Sequence, residues 1–151
     1  MIKTALNAAF AAGFAATLAL TAGVVPANAQ TATATKTIYV YADQAGLMGT
    51  DKKHHDAFFP ADFVLKAGQK VTLVFVNYDD APHSFTAPGL HLNVVIKAGH
   101  DKTGSDGVTP TTTTFTFTPA AAGEFKWHCV MPCDTYSMNR QGYMAGYVKV
   151  I

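Results

Sequence analysis

The chain reads as an all-β protein whose strands pair antiparallel in a sandwich, and three features predict this. Past residue 29 no segment sustains a helical period. β-branched and aromatic residues cluster in short runs punctuated by glycine, proline and aspartate. Within those runs apolar and polar positions alternate with period two: Val71, Leu73 and Phe75 alternate with Thr72, Val74 and Val76, and Phe115 and Phe117 alternate with threonines. Such alternation marks strands half-buried between two sheets.

The N-terminus carries Lys3, an apolar run over roughly residues 8–25, and the small-residue pattern Ala27-Asn28-Ala29 before Gln30. This is the pattern of a cleaved secretory signal, so residues 1–29 are read as a signal peptide and 30–151 as one domain. A retained membrane anchor is the alternative; the alanine-rich run and its cleavage pattern speak for removal. The remainder, about 120 residues, is of the size that builds one core, and no linker-like stretch divides it.

Within that domain the expected strands are 37–41, 62–66, 70–77, 83–86, 92–97, 111–118, 124–129 and 143–150, each bounded by turn residues. Ala67-Gly68-Gln69 and the stretch from Ala120 to Gly123 read as tight turns. Residues 42–60 form the longest irregular piece, with room for a short helical turn. Its segment Lys52-Lys53-His54-His55-Asp56 is read as a solvated loop rather than a second metal site, because nothing fixes the histidine spacing.

Eleven basic residues stand against ten acidic ones, which gives no preference for nucleic acid or an anionic membrane surface. Any protein partner docks through a local patch. Catalytic constellations are missing as well: no nucleophile sits in a recognisable strained turn beside a base, no glycine-rich phosphate loop occurs, and Glu124 is the only glutamate.

The chemistry concentrates near the C-terminus. Both cysteines, Cys129 and Cys133, and three of the five methionines, Met131, Met138 and Met144, lie within one short segment. His83 stands upstream in Asp80-Ala81-Pro82-His83-Ser84-Phe85. Thiolate, thioether and imidazole together suit copper, and the sulfur majority favours Cu(I). Strand alternation places Phe125, Trp127 and Cys129 on the inward face and His128 on the other, so His128 is left out of the site. An exported cysteine pair has a second fate. A Cys129–Cys133 disulfide in a copper-free binding module stays open if the Cα atoms approach within about 7 Å.

Further motifs surround these residues. Phe59-Pro60, Phe63-Val64-Leu65-Lys66-Ala67-Gly68 and Val71-Thr72-Leu73 precede the histidine; His83-Ser84-Phe85, Pro88-Gly89-Leu90 and Lys97-Ala98-Gly99 follow; then come Gly123-Glu124-Phe125, Cys129-x-x-x-Cys133 and Met144. From about residue 59 to 150 this resembles the cupredoxins, copper-binding β-sandwich domains, and among them the copper-bearing domain of cytochrome c oxidase subunit II. The resemblance implies a Greek-key sandwich and a copper site of His83, Cys129, Cys133 and Met144, with the Met131 carbonyl as a further candidate. Met131, Met138 and Gln141 form a second rank. Gln141 stands where that family has its second histidine, three residues before the methionine, and the loop from Cys133 to Met144 is longer by several residues. One copper per chain is therefore expected in place of a binuclear centre. The implied function is that of an exported electron-transfer protein of the periplasm or extracellular space, not an enzyme, working with a redox partner protein. A Cu(I) carrier that serves a copper-accepting protein is the alternative, and no membrane insertion is expected after signal cleavage.

Overall fold

A computed structural model describes residues 32–102 and 107–151. The expected signal peptide lies outside the described residues. Among them no helix is long and apolar enough to cross a membrane.

Two sheets face each other. The first has the order β11-β6-β1-β4, built from β1 (Ala34–Tyr41), β4 (Ala57–Phe59), β6 (Val71–Asn77) and β11 (Thr111–Phe117). The second has the order β5-β13-β12-β7-β8, built from β5 (Phe63–Leu65), β7 (His83–Ala87), β8 (Leu92–Ile96), β12 (Gly123–His128) and β13 (Ala145–Val150). Two small ribbons, β2 (Leu47–Met48) with β3 (His54–His55) and β9 (His100–Asp101) with β10 (Val108–Thr109), complete the described residues.

Period-two burial runs through the main strands. Every second residue of β6 is buried from Val71 to Asn77, and β8 and the C-terminal part of β13 repeat the pattern. The enclosed layer joins Ile38 and Val40, Phe58, Leu73 and Phe75, Phe85, Ile96, Trp127 and Val148 into one apolar cluster. Phe115 and Phe117 alternate as expected but stay half-buried, because β11 is the edge of its sheet.

The sandwich matches the expectation from the sequence, but its pairing is not uniformly antiparallel. β1 runs parallel to β6, and β5 runs parallel to β13. Periodicity decides which face of a strand is buried and carries no information about the direction of its neighbour. Residues 42–60 are also more ordered than expected. A 3₁₀ turn spans Asp43–Ala45, the β2–β3 ribbon follows, and β4 pairs with β1 through Tyr39↔Phe59.

This arrangement gathers the chemically active residues at one end of the sandwich. His83 opens β7 directly after the β6–β7 turn, and the β12–β13 loop, carrying Cys129, Cys133 and Met144, closes over the same end. The main chain fixes that closure: Cys129 N–H donates to the Met144 carbonyl at 3.0 Å, and Met144 N–H to the Ser137 carbonyl at 3.3 Å.

Candidate metal centre

The β6–β7 turn is organised by a buried amide. Asn77, 0% exposed, donates through Nδ2 to the carbonyls of Ala81 and Lys97, both at 2.9 Å, and its Oδ1 accepts the Asp79 N–H at 3.0 Å. Asp79 in turn accepts the Ala81 N–H through Oδ1 and holds His83 Nε2 at 2.6 Å through Oδ2. A carboxylate only accepts, so Nε2 of His83 carries the proton. Nδ1 is thereby turned toward the sulfur atoms, 3.3 Å from Cys133 Sγ.

Cys129 directly follows β12 and continues its inward face, 1% exposed, as the alternation predicts, while His128 is half-buried on the other face. Its Sγ lies 3.2 Å from Cys133 Sγ, and the two thiols are not bonded. The Ser84 N–H points at Cys129 Sγ at 3.4 Å, and the Ser84 hydroxyl accepts the Val130 N–H at 2.9 Å, pinning the start of the loop. One nitrogen of His83 and the sulfurs of Cys129 and Cys133 all lie within 4.8 Å of one another. Met144 is 0% exposed in the same cluster as Cys129. Phe58 meets the His83 ring edge-on at 6.0 Å between centroids and seals it from that side.

The second-rank residues diverge. The Met131 carbonyl lies 3.9 Å from Cys129 Sγ, and the side chains of Met131 and Met138 are half-buried. Gln141 is exposed, and its amide donates to the Asp62 carboxylate at 2.9 Å and 3.2 Å, which holds it at the surface. Sequence reasoning missed Asp79, whose only signal was its position four residues before His83. It also missed Asp56, half-buried, whose carboxylate shares a cluster with Asp79 and His83. Burial and the neighbouring Asp79 charge push the Asp56 pKa up to about 6.

His55 overturns the reading of its segment as a solvated loop. It is 8% exposed, with Nδ1 2.6 Å from Asp134 and Nε2 2.9 Å from Asp51. The Asp51 bond, opposed by burial and reinforced by Asp134, raises its pKa. His54, by contrast, is exposed.

Without metal, the sulfurs share one proton unequally. The bond from the Cys133 thiol, with help from His83 and the Ser84 N–H, outweighs desolvation and pulls Cys129 down to about 4. Cys133 is pushed up by that adjacent thiolate and by burial. Burial disfavours a charged His83, yet its bonds to Asp79 and the thiolate prevail and raise it to about 9. Since an ordinary thiol ionises near pH 8.5, roughly, the metal-free protein is expected to show the ultraviolet absorbance of one thiolate at neutral pH. Acidification protonates a group only near its own pKa, so that absorbance persists until about pH 4 and then disappears. An absorbance that develops only on raising the pH to about 8 contradicts this.

Asp79→Asn is a second expected result. Asparagine keeps an acceptor for Nε2 but removes the charge, and if His83 holds the metal, loss of such a partner behind it costs roughly 10–100-fold in affinity. Competition with a Cu(I) chelator measures it; an unchanged affinity means that the Asp79 charge does not reach the donor nitrogen.

The sequence model of the cupredoxin-like domain matches residues 13–139. No curated protein sequence matches the chain. Among solved structures the chain is similar to the blue copper oxidase from Nitrosomonas europaea, with 18% identity and a TM-score of 0.54 over 79% of this chain and 39% of that one. It is similar to the dithionite-reduced auracyanin from the photosynthetic bacterium Roseiflexus castenholzii, with 18% identity and a TM-score of 0.51 over 80% of this chain and 98% of that one. A multicopper oxidase from Pseudomonas thermotolerans gives 13% identity and a TM-score of 0.51 over 79% of this chain and 29% of that one. The chain thus spans less than half the length of either oxidase. At these identities the likeness concerns the fold, a β-sandwich of the same kind.

Proposed function

This chain belongs to the family of cupredoxin-like domains, and from that premise we propose that it is an exported copper protein that passes single electrons to and from a partner protein. Copper is the cofactor, held by His83, Cys129, Cys133 and Met144. The observation that carries the reading is the convergence of one imidazole nitrogen and two thiol sulfurs within 4.8 Å at the buried end of the sandwich. Donors around one ion at roughly 2.0–2.3 Å must lie roughly 3–4 Å apart, and the 3.2 Å and 3.3 Å separations meet that requirement. The donor set is soft, as copper requires.

When bound, copper supplies a one-electron couple. The protein residues supply its setting. Asp79 fixes the proton of His83 on Nε2 and leaves Nδ1 as the donor. The Ser84 N–H stabilises negative charge on Cys129 Sγ, and Phe58, Phe85 and Trp127 exclude water behind the site. His83 opens β7 and Cys129 directly follows β12 of the same sheet, which limits how far these two donors move when charge changes and favours fast transfer.

The arrangement Cys–His–Asp also has the chemical form of a hydrolase nucleophile. Two facts weigh against that use. Cys129 is 1% exposed while Cys133, the thiol that faces His83 Nδ1, is held protonated by the adjacent thiolate and by burial, and a cleft of about 940 Å³ is lined by Tyr41, Lys53, His54 and Tyr78 rather than by any residue of the site. A Cu(I) carrier remains a second reading, favoured by the predominance of sulfur among the donors. The relation to the oxidase subunit II copper domain rests on Cys129-x-x-x-Cys133, His83 and Met144, and action in the periplasm or outside the cell rests on the N-terminal signal pattern.

Copper stoichiometry combined with electron paramagnetic resonance tests the proposal. Protein loaded under reducing conditions and then oxidised is expected to hold one copper and give the hyperfine pattern of a single nucleus. An electron shared over two nuclei restores the binuclear reading. A silent protein that resists oxidation points to the carrier, and a protein that takes up no copper ends the proposal.

A further inference from the structure

The loop that brings Cys133 and Met144 to the site is long, and a long loop has many conformations to lose before its donors are in place. What orders it is a second set of residues on the β2–β3 ribbon. His55 projects from β3 with both ring nitrogens engaged: Nδ1 at 2.6 Å from Asp134 Oδ2, Nε2 at 2.9 Å and 3.1 Å from the two oxygens of Asp51. Carboxylates only accept, so both nitrogens donate. Asp51 belongs to the ribbon turn, whereas Asp134 is the residue directly after Cys133.

The ring is enclosed as well as bonded. It stacks on Tyr136 with centroids 3.8 Å apart and planes 11° from parallel, and the Arg140 guanidinium lies 3.9 Å over the Tyr136 ring. The Tyr136 hydroxyl accepts the Thr50 N–H at 2.8 Å, and the Tyr143 hydroxyl donates to the Met48 carbonyl at 3.0 Å. Asp134 also accepts the Tyr136 N–H at 2.9 Å, so one carboxylate sets both the turn after Cys133 and its attachment to His55. Every one of these contacts joins the ribbon and the stretch from Asp134 to Tyr143, or orders that stretch itself.

We infer that His55 is a positioning residue for the copper site: by clasping Asp134 against the ribbon it holds Cys133 at the distance from Cys129 and His83 that copper requires. The inference rests on the proposed copper reading and adds to it a reason for the length of the loop, whose extra residues form the docking face for the ribbon. His55 bonds to none of the proposed donors and acts through Asp134 and the ring of Tyr136.

His55→Ala tests the clasp, with Asp51→Ala as a companion variant that cuts the anchor on the ribbon side without altering the loop. In copper-loaded protein His55→Ala is expected to release Cu(I) to a chelator at least about tenfold faster, the scale of effects from residues behind a metal ligand. It is also expected to change the copper hyperfine splitting, which a loss of stability alone does not do. In metal-free protein the alkylation rate of Cys133 is expected to rise by a similar factor, and Asp51→Ala gives a smaller change in the same direction. His55→Gln, which retains a donor for one carboxylate, is expected to recover part of the wild-type spectrum. Unchanged release, spectrum and alkylation in folded His55→Ala overturn the inference, as does an unchanged Asp51→Ala if His55→Ala does not fold. Should the wild type bind no copper, the functional proposal falls by itself, and the alkylation comparison still decides whether His55 holds Cys133 in place.

Discussion

Cys129→Ser is expected to weaken copper binding about a hundredfold. The side chain is 1% exposed, faces Cys133 Sγ at 3.2 Å and receives the Ser84 N–H. A serine hydroxyl is harder, shorter in reach and not ionised near neutral pH. If total metal-binding energy of roughly 10–16 kcal/mol is divided over four ligands, one thiolate contributes about 3 kcal/mol, or about a hundredfold in dissociation constant. His128→Ala supplies the contrast. Its ring lies on the other face of β12, half-buried, and copper affinity is expected to stay within about twofold, as for substitutions away from the site. Equilibrium dialysis against a Cu(I) chelator compares the two. If His128→Ala loses copper and Cys129→Ser keeps it, the facing of β12 has been read backwards.

That facing was legible because period two is written directly in the residues: Phe125, Trp127 and Cys129 follow one another on alternate positions, and the buried end of β12 follows suit. The same signal located the eight principal strands to within a few residues. It failed where a strand is too short to show a period, as in Ala57–Phe59, and it was silent on the parallel direction of β1 with β6. Of the candidate site, the three groups that the fold brings together, His83, Cys129 and Cys133, were legible because a cysteine pair crowded among methionines, with a histidine at the end of an apolar strand upstream, has few bland uses. The groups that orient them were not. Asp79 is one aspartate of a pair in a turn, and only the folded turn shows that it, held by Asn77, reaches His83 Nε2. His55 and Asp134 are separated by 79 positions, and no local pattern links an exposed-looking His-His pair to the residue after a cysteine. Gln141, weighed as a donor from its place before Met144, instead meets Asp62, a partner 79 positions away.

The largest effect on stability is expected from Trp127→Ala. Trp127 is 0% exposed and is the only tryptophan in the chain. Its ring stacks at 4.7 Å on Phe85 and tilts against Phe58 at 4.8 Å, so it ties the two sheets together beside the candidate metal site. Its Nε1 donates to the Ala61 carbonyl at 2.7 Å, across Gly146, where an added Cβ meets that carbonyl at 2.2 Å; the neighbouring strand has given up a side chain to admit the ring. Truncation to alanine removes the ring contacts, leaves a cavity and takes the donor from the Ala61 carbonyl, which together cost about 3–5 kcal/mol. For a domain of this size that is roughly 12–20 °C in Tm, read by calorimetry or circular dichroism since the intrinsic fluorophore is lost. Trp127→Phe separates the causes. It keeps most of the stack and loses the bond to Ala61, so a cost of about 1–2 kcal/mol is expected. If Trp127→Ala costs less than about 1 kcal/mol, the sandwich does not depend on this ring, and Phe58, which leans on both Trp127 and His83, has another means of holding the imidazole in place.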